Sequence, residues 1–419
     1  MADPNNRKGR RAPAKRRKPA KAAPEPEQGA RRPLSQVGGP VRTSGEPELA
    51  AILQRAWEGP HVRGPDDLTH GFHTYPARMH PGVAAVLLER LGDRRALVLD
   101  PFCGSGTVLV ESMVAGRRAF GIDLNPLALR IAEVRCDWRE AGSRRRFAER
   151  LEAVAERSTA RVRGRVAVHA PLPREEAQWY APHVLKEMAG LREEILEVDD
   201  ERDRRALGMV FSAIVVKFSR QRADTAEQVE HKRIRKGLVT EFFHRKGTEL
   251  VERWAALDAA VPKPVPRPRL RQGDARQAQG ILQRGIAADL IVTSPPYGGT
   301  YDYAHQHGRR LAWLEMDPGT LTGSEIGARR DLRGAEATRR WNEQLGAVLR
   351  ALGSVLADGG RMVLVMGDAQ LGRRRVAADR QLTRLAPEAG LRVRAVASQA
   401  RPDFTGGPAR EEHIVLLSR

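Results

Sequence analysis

ALVLDPFCGSGTVLVESMVAGRRAFGIDLNPLALRIAEVRC, residues 96–136, decides the fold. ALVLD (96–100) is a short apolar run ending in an acid, the pattern of a buried strand. A glycine-bearing loop follows, then TVLVESMVAG (107–116), an apolar helix closed by Gly116. RAFGID (118–123) is a second apolar run ending in an acid. PLALRIAEVRC (126–136) is a second helix, opened by a proline whose missing N–H would have no helical partner in the first turn. Strand, helix, strand, helix within about 40 residues is a βαβ unit, which requires a parallel sheet.

Working outward, the same grammar recurs. RLRQGD (269–274) reads as a third strand ending in an acid, and ADLIVTSPPY (288–297) as a fourth that runs into two prolines. GGRMVLVMGD (359–368) reads as a fifth. RVRAVAS (392–398) and HIVLLS (413–418) can close the sheet as a terminal antiparallel hairpin. The expected fold is α/β, with a mostly parallel seven-stranded sheet. Helices are expected over 48–57, 81–91 and 339–356, the last with Trp341, Leu345, Val348, Leu349, Leu352 and Leu356 on one face. Residues 139–262 interrupt the pattern with helical periodicity, for example Leu207, Val210, Phe211, Ile214, Val215 and Phe218. This predicts sheet-domain segments 46–138 and 263–419, separated by a helical insertion at 139–262.

Residues 1–45 read as a disordered basic tail: positions 1–32 hold eleven basic and three acidic residues and almost no large apolar side chain. The whole chain of 419 residues carries a formal net charge of +20, which favours a polyanionic partner. A second basic stretch, 217–246, could track a phosphate backbone. No apolar run approaches the roughly 20 residues needed to span a bilayer, so no membrane association is expected. Two cysteines, Cys103 and Cys136, exclude a disulfide framework and a Cys-based zinc site, and a cytoplasmic location is the expectation.

Ligands of open parallel sheets bind at the carboxyl ends of the strands. Four such ends are informative here: Asp100, Asp123, Asp274 and Ser294. Gly104 and Gly106 allow a sharp turn and close approach to a ligand, and Ser105 or Thr107 can cap the next helix. The phosphate-cradling GxxxxGK[ST] pattern is absent, and a carboxylate just before the loop disfavours a pyrophosphate and favours a cation. Asp123 is placed to accept from two ribose hydroxyls. A ligand with an adenine, a ribose and a positive centre fits; S-adenosylmethionine is one. In TSPPY (293–297) the prolines stiffen the chain and remove two backbone donors. Ser294 Oγ and the Pro295 carbonyl could then bind the hydrogens of an exocyclic amine and turn its lone pair toward a methyl sulfonium. Tyr297 could stack on a base flipped out of a helix. No metal is required. Carbon-5 methylation needs a thiolate, typically after a proline, and neither cysteine follows one. GTYDYAHQHGRR (299–310) reads as a mobile polar loop.

DPFCGSGT, GIDLNP and TSPPY resemble the motifs of S-adenosylmethionine-dependent DNA amino-methyltransferases, the serine form of the tetrapeptide resembling the cytosine-N4 enzymes most. HTYPARMHP (73–81) resembles the segment that precedes the glycine-rich loop in them. The resemblance covers about 70–136 and 269–419. It implies a Rossmann-like methyltransferase fold and S-adenosylmethionine as cofactor, bound by Tyr75, Pro76, Ala77, Asp100, Phe102, Gly104, Ser105, Gly106, Thr107, Asp123, Asn125 and Asp274. Phe102 would pack near the methionine moiety, and Asp274 would take the adenine amine. Ser294, Pro295, Pro296 and Tyr297 would be catalytic. The implied substrate is a base in DNA, cytosine N4 first and adenine N6 next, with tRNA guanine N2 as the RNA alternative and a catalytically inactive nucleic-acid-binding protein as the non-enzyme one. A restriction endonuclease is the implied partner. The cofactor motif precedes the catalytic one, and the 139–262 insertion lies outside the common core.

Overall fold

The computed structural model describes residues 40–419 except 59–60, 77, 223–228, 283–285, 373 and 402–409. Its strands in chain order are β1 Arg42–Gly45, β2 Leu97–Asp100, β3 Arg118–Asp123, β4 Arg269–Gln272, β5 Ala288–Thr293, β6 Leu356–Gly367, β7 Ala369–Leu371, β8 Arg374–Val376, β9 Arg392–Arg401 and β10 Arg410–Ser418. One sheet runs β1-β9-β10-β6-β5-β2-β3-β4, and β7 and β8 form a separate ribbon. Four of the seven junctions of the main sheet are parallel, and the β9–β10 hairpin and β1 supply the antiparallel ones.

The main sheet has eight strands where the sequence predicts seven. The extra one, β1, lies inside the segment expected to be tail. All four of its residues are exposed, so it carries no apolar alternation to read. It is an edge strand held by backbone pairing to β9, and Gly45 (φ 96°) is pressed so close to Arg394 that a Cβ would meet its carbonyl oxygen at 2.2 Å. Residues 1–39, the rest of that expected tail, lie outside the described residues.

Period-two alternation sorts the strands between two apolar layers. Met362, Leu364 and Met366 of β6 face one side with Val415 and Leu417 of β10, and pack on Trp341, Leu345, Val348, Leu349 and Leu352 of helix Ala337–Val355. Each of these fully buried side chains stabilises the layer by roughly 1.5–3 kcal/mol. Val363, Val365, Ile414 and Leu416 face the other side, under helices Pro47–Trp57, Pro81–Arg90 and Thr107–Val114. Helix Pro81–Arg90 starts on its proline, and His80 Nδ1 accepts from Gly82 N at 3.1 Å.

The segment 139–262 is helical, with Ala141–Gly164, Arg174–Ala177, Pro182–Leu196, Glu201–Phe218 and Leu238–Ala260. The four longer helices share one apolar cluster with Phe72, Leu127, Ile131 and Val134 of the sheet domain. Trp254 Nε1 donates to Val134 O at 3.0 Å, and the Arg139 guanidinium lies over the Trp254 ring. Among the described residues no helix is long and apolar enough to cross a membrane.

Winding sets the location of the site. From β2 the chain steps to β3 and β4 on one side; from β5 it steps to β6 on the other. The order therefore reverses between β2 and β5, and a crevice opens beyond their carboxyl ends.

Candidate active site

At that crevice, β2 ends in Asp100 and β5 in Thr293. Thr293 Oγ1 donates to Asp100 Oδ1 at 2.6 Å, with both residues buried. The loop after β5 is thereby fastened to the loop after β2. The two loops wall one cleft of ≈ 810 Å³, open solvent included.

The glycine-rich loop turns on Gly104 (φ 48°) and Gly106 (φ 86°). Gly106 itself occupies the helix N-cap; neither Ser105 nor Thr107, the caps the sequence suggested, caps by side chain. The reason is packing: a Cβ at 106 would lie 2.9 Å from Ala132 Cβ. Thr107 instead lines the cleft with a buried hydroxyl that has no partner among the described residues, which suits a polar group of a ligand. Asp123 Oδ2 accepts from Gly104 N and Oδ1 from Asn125 N, both at 2.8 Å. Each oxygen keeps a second lone pair for an incoming hydroxyl.

Three carboxyls line the cleft: Asp100, Asp123 and Glu325. Burial pushes Asp100 up to about 7, against the lowering hydrogen bonds from Thr293 and the Phe102 amide. Burial likewise pushes Asp123 up to about 6, opposed by the Asn125 and Gly104 amides. Burial raises Glu325 too, although it accepts from Tyr303 N and pairs with Arg330 at 2.8 Å. Concentrated acids that resist ionisation in the ligand-free protein are matched to a cationic ligand. The aromatic wall is Tyr75, stacked on Tyr303 (centroids 6.1 Å, 14°) and tilted against His307 at 5.0 Å. Asn125 Nδ2 donates to His307 Nδ1 at 2.8 Å, tying this wall to the acid-bearing loop.

Of the residues implied for the cofactor, Tyr75, Asp100, Phe102, Gly104, Ser105, Thr107, Asp123 and Asn125 line the cleft, and so do Ser294 and Pro296 of the tetrapeptide. Pro76, Gly106 and Pro295 lie in the same loops but do not line it, and Ala77 lies outside the described residues. Asp274 does not line it either; its flanking residues Gly273 and Ala275 do. Its carboxylate caps the turn at Ala275–Gln277 and pairs with Arg276, so the side chain is engaged two residues along its own chain. Tyr297 stands beside the cleft. Its ring lies against Gly367, where a Cβ would come within 2.7 Å, and its hydroxyl donates to Glu412.

The structure also corrects the stretch after the tetrapeptide. Residues 303–313 form helix Tyr303–Trp313, where the sequence suggested a mobile loop. Half of its buried side chains are His307 and Arg310, so it shows no apolar stripe. Arg310 Nε donates to Ser212 O at 3.1 Å. Sequence reasoning missed Glu325, Arg78, Leu321 and Ile326 as lining residues. The one available signal was an isolated acid in GTLTGSEIGARR, between turn-forming residues and a single isoleucine.

Residues 11–134 match the DNA methylase family. A segment of 65 residues is 42% identical to Type II methyltransferase M.MvaI of Kocuria varians, covering 15% of this chain and 14% of that one. One of 66 residues is 39% identical to Type II methyltransferase M.MjaII of Methanocaldococcus jannaschii, covering 16% and 12%. The matched segment is thus similar to DNA methylases. The matches span about one-seventh and one-eighth of those relatives' own lengths. Among solved structures, TrmN from Thermus thermophilus aligns at 14% identity and TM-score 0.32, over 81% of this chain and 49% of that one. The rRNA methyltransferase aviRa from Streptomyces viridochromogenes aligns at 15% and 0.30, over 83% and 89%. At those scores the α/β reading rests on the strand order itself. S-adenosylmethionine fits this cleft, as the motifs imply: acids for its cationic groups, paired lone pairs on Asp123 for the ribose, and an unpartnered Thr107 hydroxyl.

Proposed function

We propose that this protein transfers a methyl group from S-adenosylmethionine to the exocyclic amine of a base in DNA, cytosine N4 being the first choice and adenine N6 the alternative. The observation that carries the reading is the Thr293–Asp100 hydrogen bond, which sets Ser294 and the cofactor-binding loop on one cleft. The cofactor supplies an electrophilic methyl on a sulfonium. The chain's own residues supply position. Ser294 Oγ and the Pro295 carbonyl accept the two amine hydrogens, draw the nitrogen from planarity and direct its lone pair into the cleft. Such oriented acceptors act through proximity and electrostatics, without covalent chemistry. Tyr297, backed by Gly367 and anchored on Glu412, is the platform for an extruded base.

The helical insertion offers the phosphate contacts. Lys217, Arg222, Arg233, Lys236 and Arg245 are exposed on it. Arg309 Nη1 donates to Gln221 Oε1 at 2.8 Å, docking this basic ledge on helix Tyr303–Trp313, whose first residue lines the cleft. A restriction endonuclease of the same target sequence is the partner this activity would accompany.

The test is transfer of labelled methyl from S-adenosylmethionine to DNA and to tRNA, followed by nucleoside digestion. N4-methylcytosine is expected, with Ser294→Ala abolishing most of it and leaving cofactor binding intact. N6-methyladenine selects the alternative. Label in tRNA alone, or full turnover by Ser294→Ala, overturns the proposal.

A further inference from the structure

We infer that Arg135 is a positioning residue for the cofactor pocket, a buried guanidinium that ties the glycine-rich loop to the Tyr75 segment from behind. The inference rests on the cofactor reading of the cleft given above. Arg135 closes helix Pro126–Arg135 and is fully buried. Its Nη1 donates to Ser105 O at 3.1 Å and to Ser105 Oγ at 2.6 Å, and its Nη2 donates to His73 O at 2.6 Å.

All three acceptors are neutral. Among the described residues no carboxylate pairs with this guanidinium, and its Nε is buried without a partner. Burying a lone cation is unfavourable, and an apolar side chain would fill the space at lower cost. What the guanidinium provides is geometry. A planar fork spans two acceptors on one segment and a third on another, which a lysine ammonium, a point charge on a flexible stem, cannot do.

The two segments it joins are adjoining walls of one pocket. Ser105 lines the cleft, and His73 lies two residues before Tyr75, which also lines it. On the cleft side these walls meet where the Tyr75 ring lies against Gly104, with 3.3 Å between Tyr75 Cε1 and the position of a Cβ there. Arg135 fixes the same separation on the buried side. Its helix touches the loop again at Gly106 through Ala132, and begins at Asn125, itself a lining residue. The helix is thus a splint along the back of the pocket, and the fork is its fastening.

Calorimetric titration of S-adenosylmethionine into the intact protein tests this. Arg135→Lys should weaken binding by about tenfold or more, since hydrogen bonds from a charged donor are lost, while kcat at saturating cofactor stays within about twofold. Thr69→Val is the control. Thr69 Oγ1 donates to Arg135 O at 2.9 Å, so this variant disturbs the same buried turn and spares the fork. It should lower the melting temperature and leave cofactor affinity unchanged. Equal affinity in Arg135→Lys and wild type, or an equal loss in Thr69→Val, overturns the inference. Should Arg135→Lys not fold, Ser105→Ala decides by hydrogen exchange without cofactor. Amides of 73–75, on the other wall, should exchange faster; unchanged exchange there refutes the tie. A wild type that does not bind S-adenosylmethionine at all would instead remove the cofactor reading.

Discussion

Replacing Thr293 by valine keeps the volume of a fully buried side chain and deletes one hydroxyl. That hydroxyl donates to Asp100 at 2.6 Å and is the first of the two groups that hold the Asp100 carboxyl down against burial. A hydrogen bond to a charged group contributes about 1.5 kcal/mol at the low end, and one pH unit corresponds to about 1.4 kcal/mol. Asp100 should therefore move up by about one unit from its value of about 7. At pH 7 the ionised fraction would fall from about half to about a tenth, and cofactor affinity by about fivefold, if the cationic ligand requires the carboxylate. The assay is calorimetric titration of S-adenosylmethionine between pH 5.5 and 9. In the wild type, affinity should rise with pH as Asp123 and then Asp100 ionise. In Thr293→Val the upper inflection should lie about one unit higher, with the two affinities converging above it. Coincident inflections would show that Thr293 does not control the Asp100 charge, and the coupling of the two loops would lose its electrostatic content.

Asp123→Ala should weaken cofactor binding and leave the melting temperature of the ligand-free protein near that of wild type at neutral pH, because it removes a buried acid together with its hydrogen bonds; calorimetry and a thermal melt check both. Gly367→Ala should force the Tyr297 ring aside, as its Cβ would sit 2.7 Å from that ring; methyl transfer should fall steeply while cofactor affinity holds, and an unchanged transfer rate would remove Tyr297 from the mechanism. The ligand-free protein should lose stability as pH rises from about 4 to 7. Both Asp100 and Asp123 have folded values above their unfolded ones, so the folded state binds more protons in that window, and thermal melts across it give the sign directly.

How much of this was legible follows from where each signal lived. Asp100 and Asp123 close apolar runs that can only be buried strands, so their place at one sheet edge followed from pattern and winding. Asp274 follows a polar, largely exposed strand, and Arg276 two residues later captures its carboxylate, a local ion pair that no periodicity announces. β1 is built from exposed polar residues and exists because β9 offers an edge, so its signal is in the partner strand. Helix Tyr303–Trp313 buries His307 and Arg310 against the 73–75 segment and the insertion, a tertiary environment that overrides the polar look of its sequence. Glu325 reaches the cleft through a turn-rich stretch with no repeat to follow.

The apolar cluster shared by the insertion and the sheet domain constrains which parts of the insertion can be exchanged. Phe72, Leu127, Ile131 and Val134 are covered by side chains such as Phe147, Val210 and Trp254, so the helical block is part of the foundation beneath the cleft. Grafting a foreign segment between residues 138 and 263 would strip that cover and unsettle the cleft it supports. Exchanges confined to the outward residues, Arg222, Arg233 and Lys236 among them, leave the foundation in place, so the surface of the block can be varied without loosening the cleft.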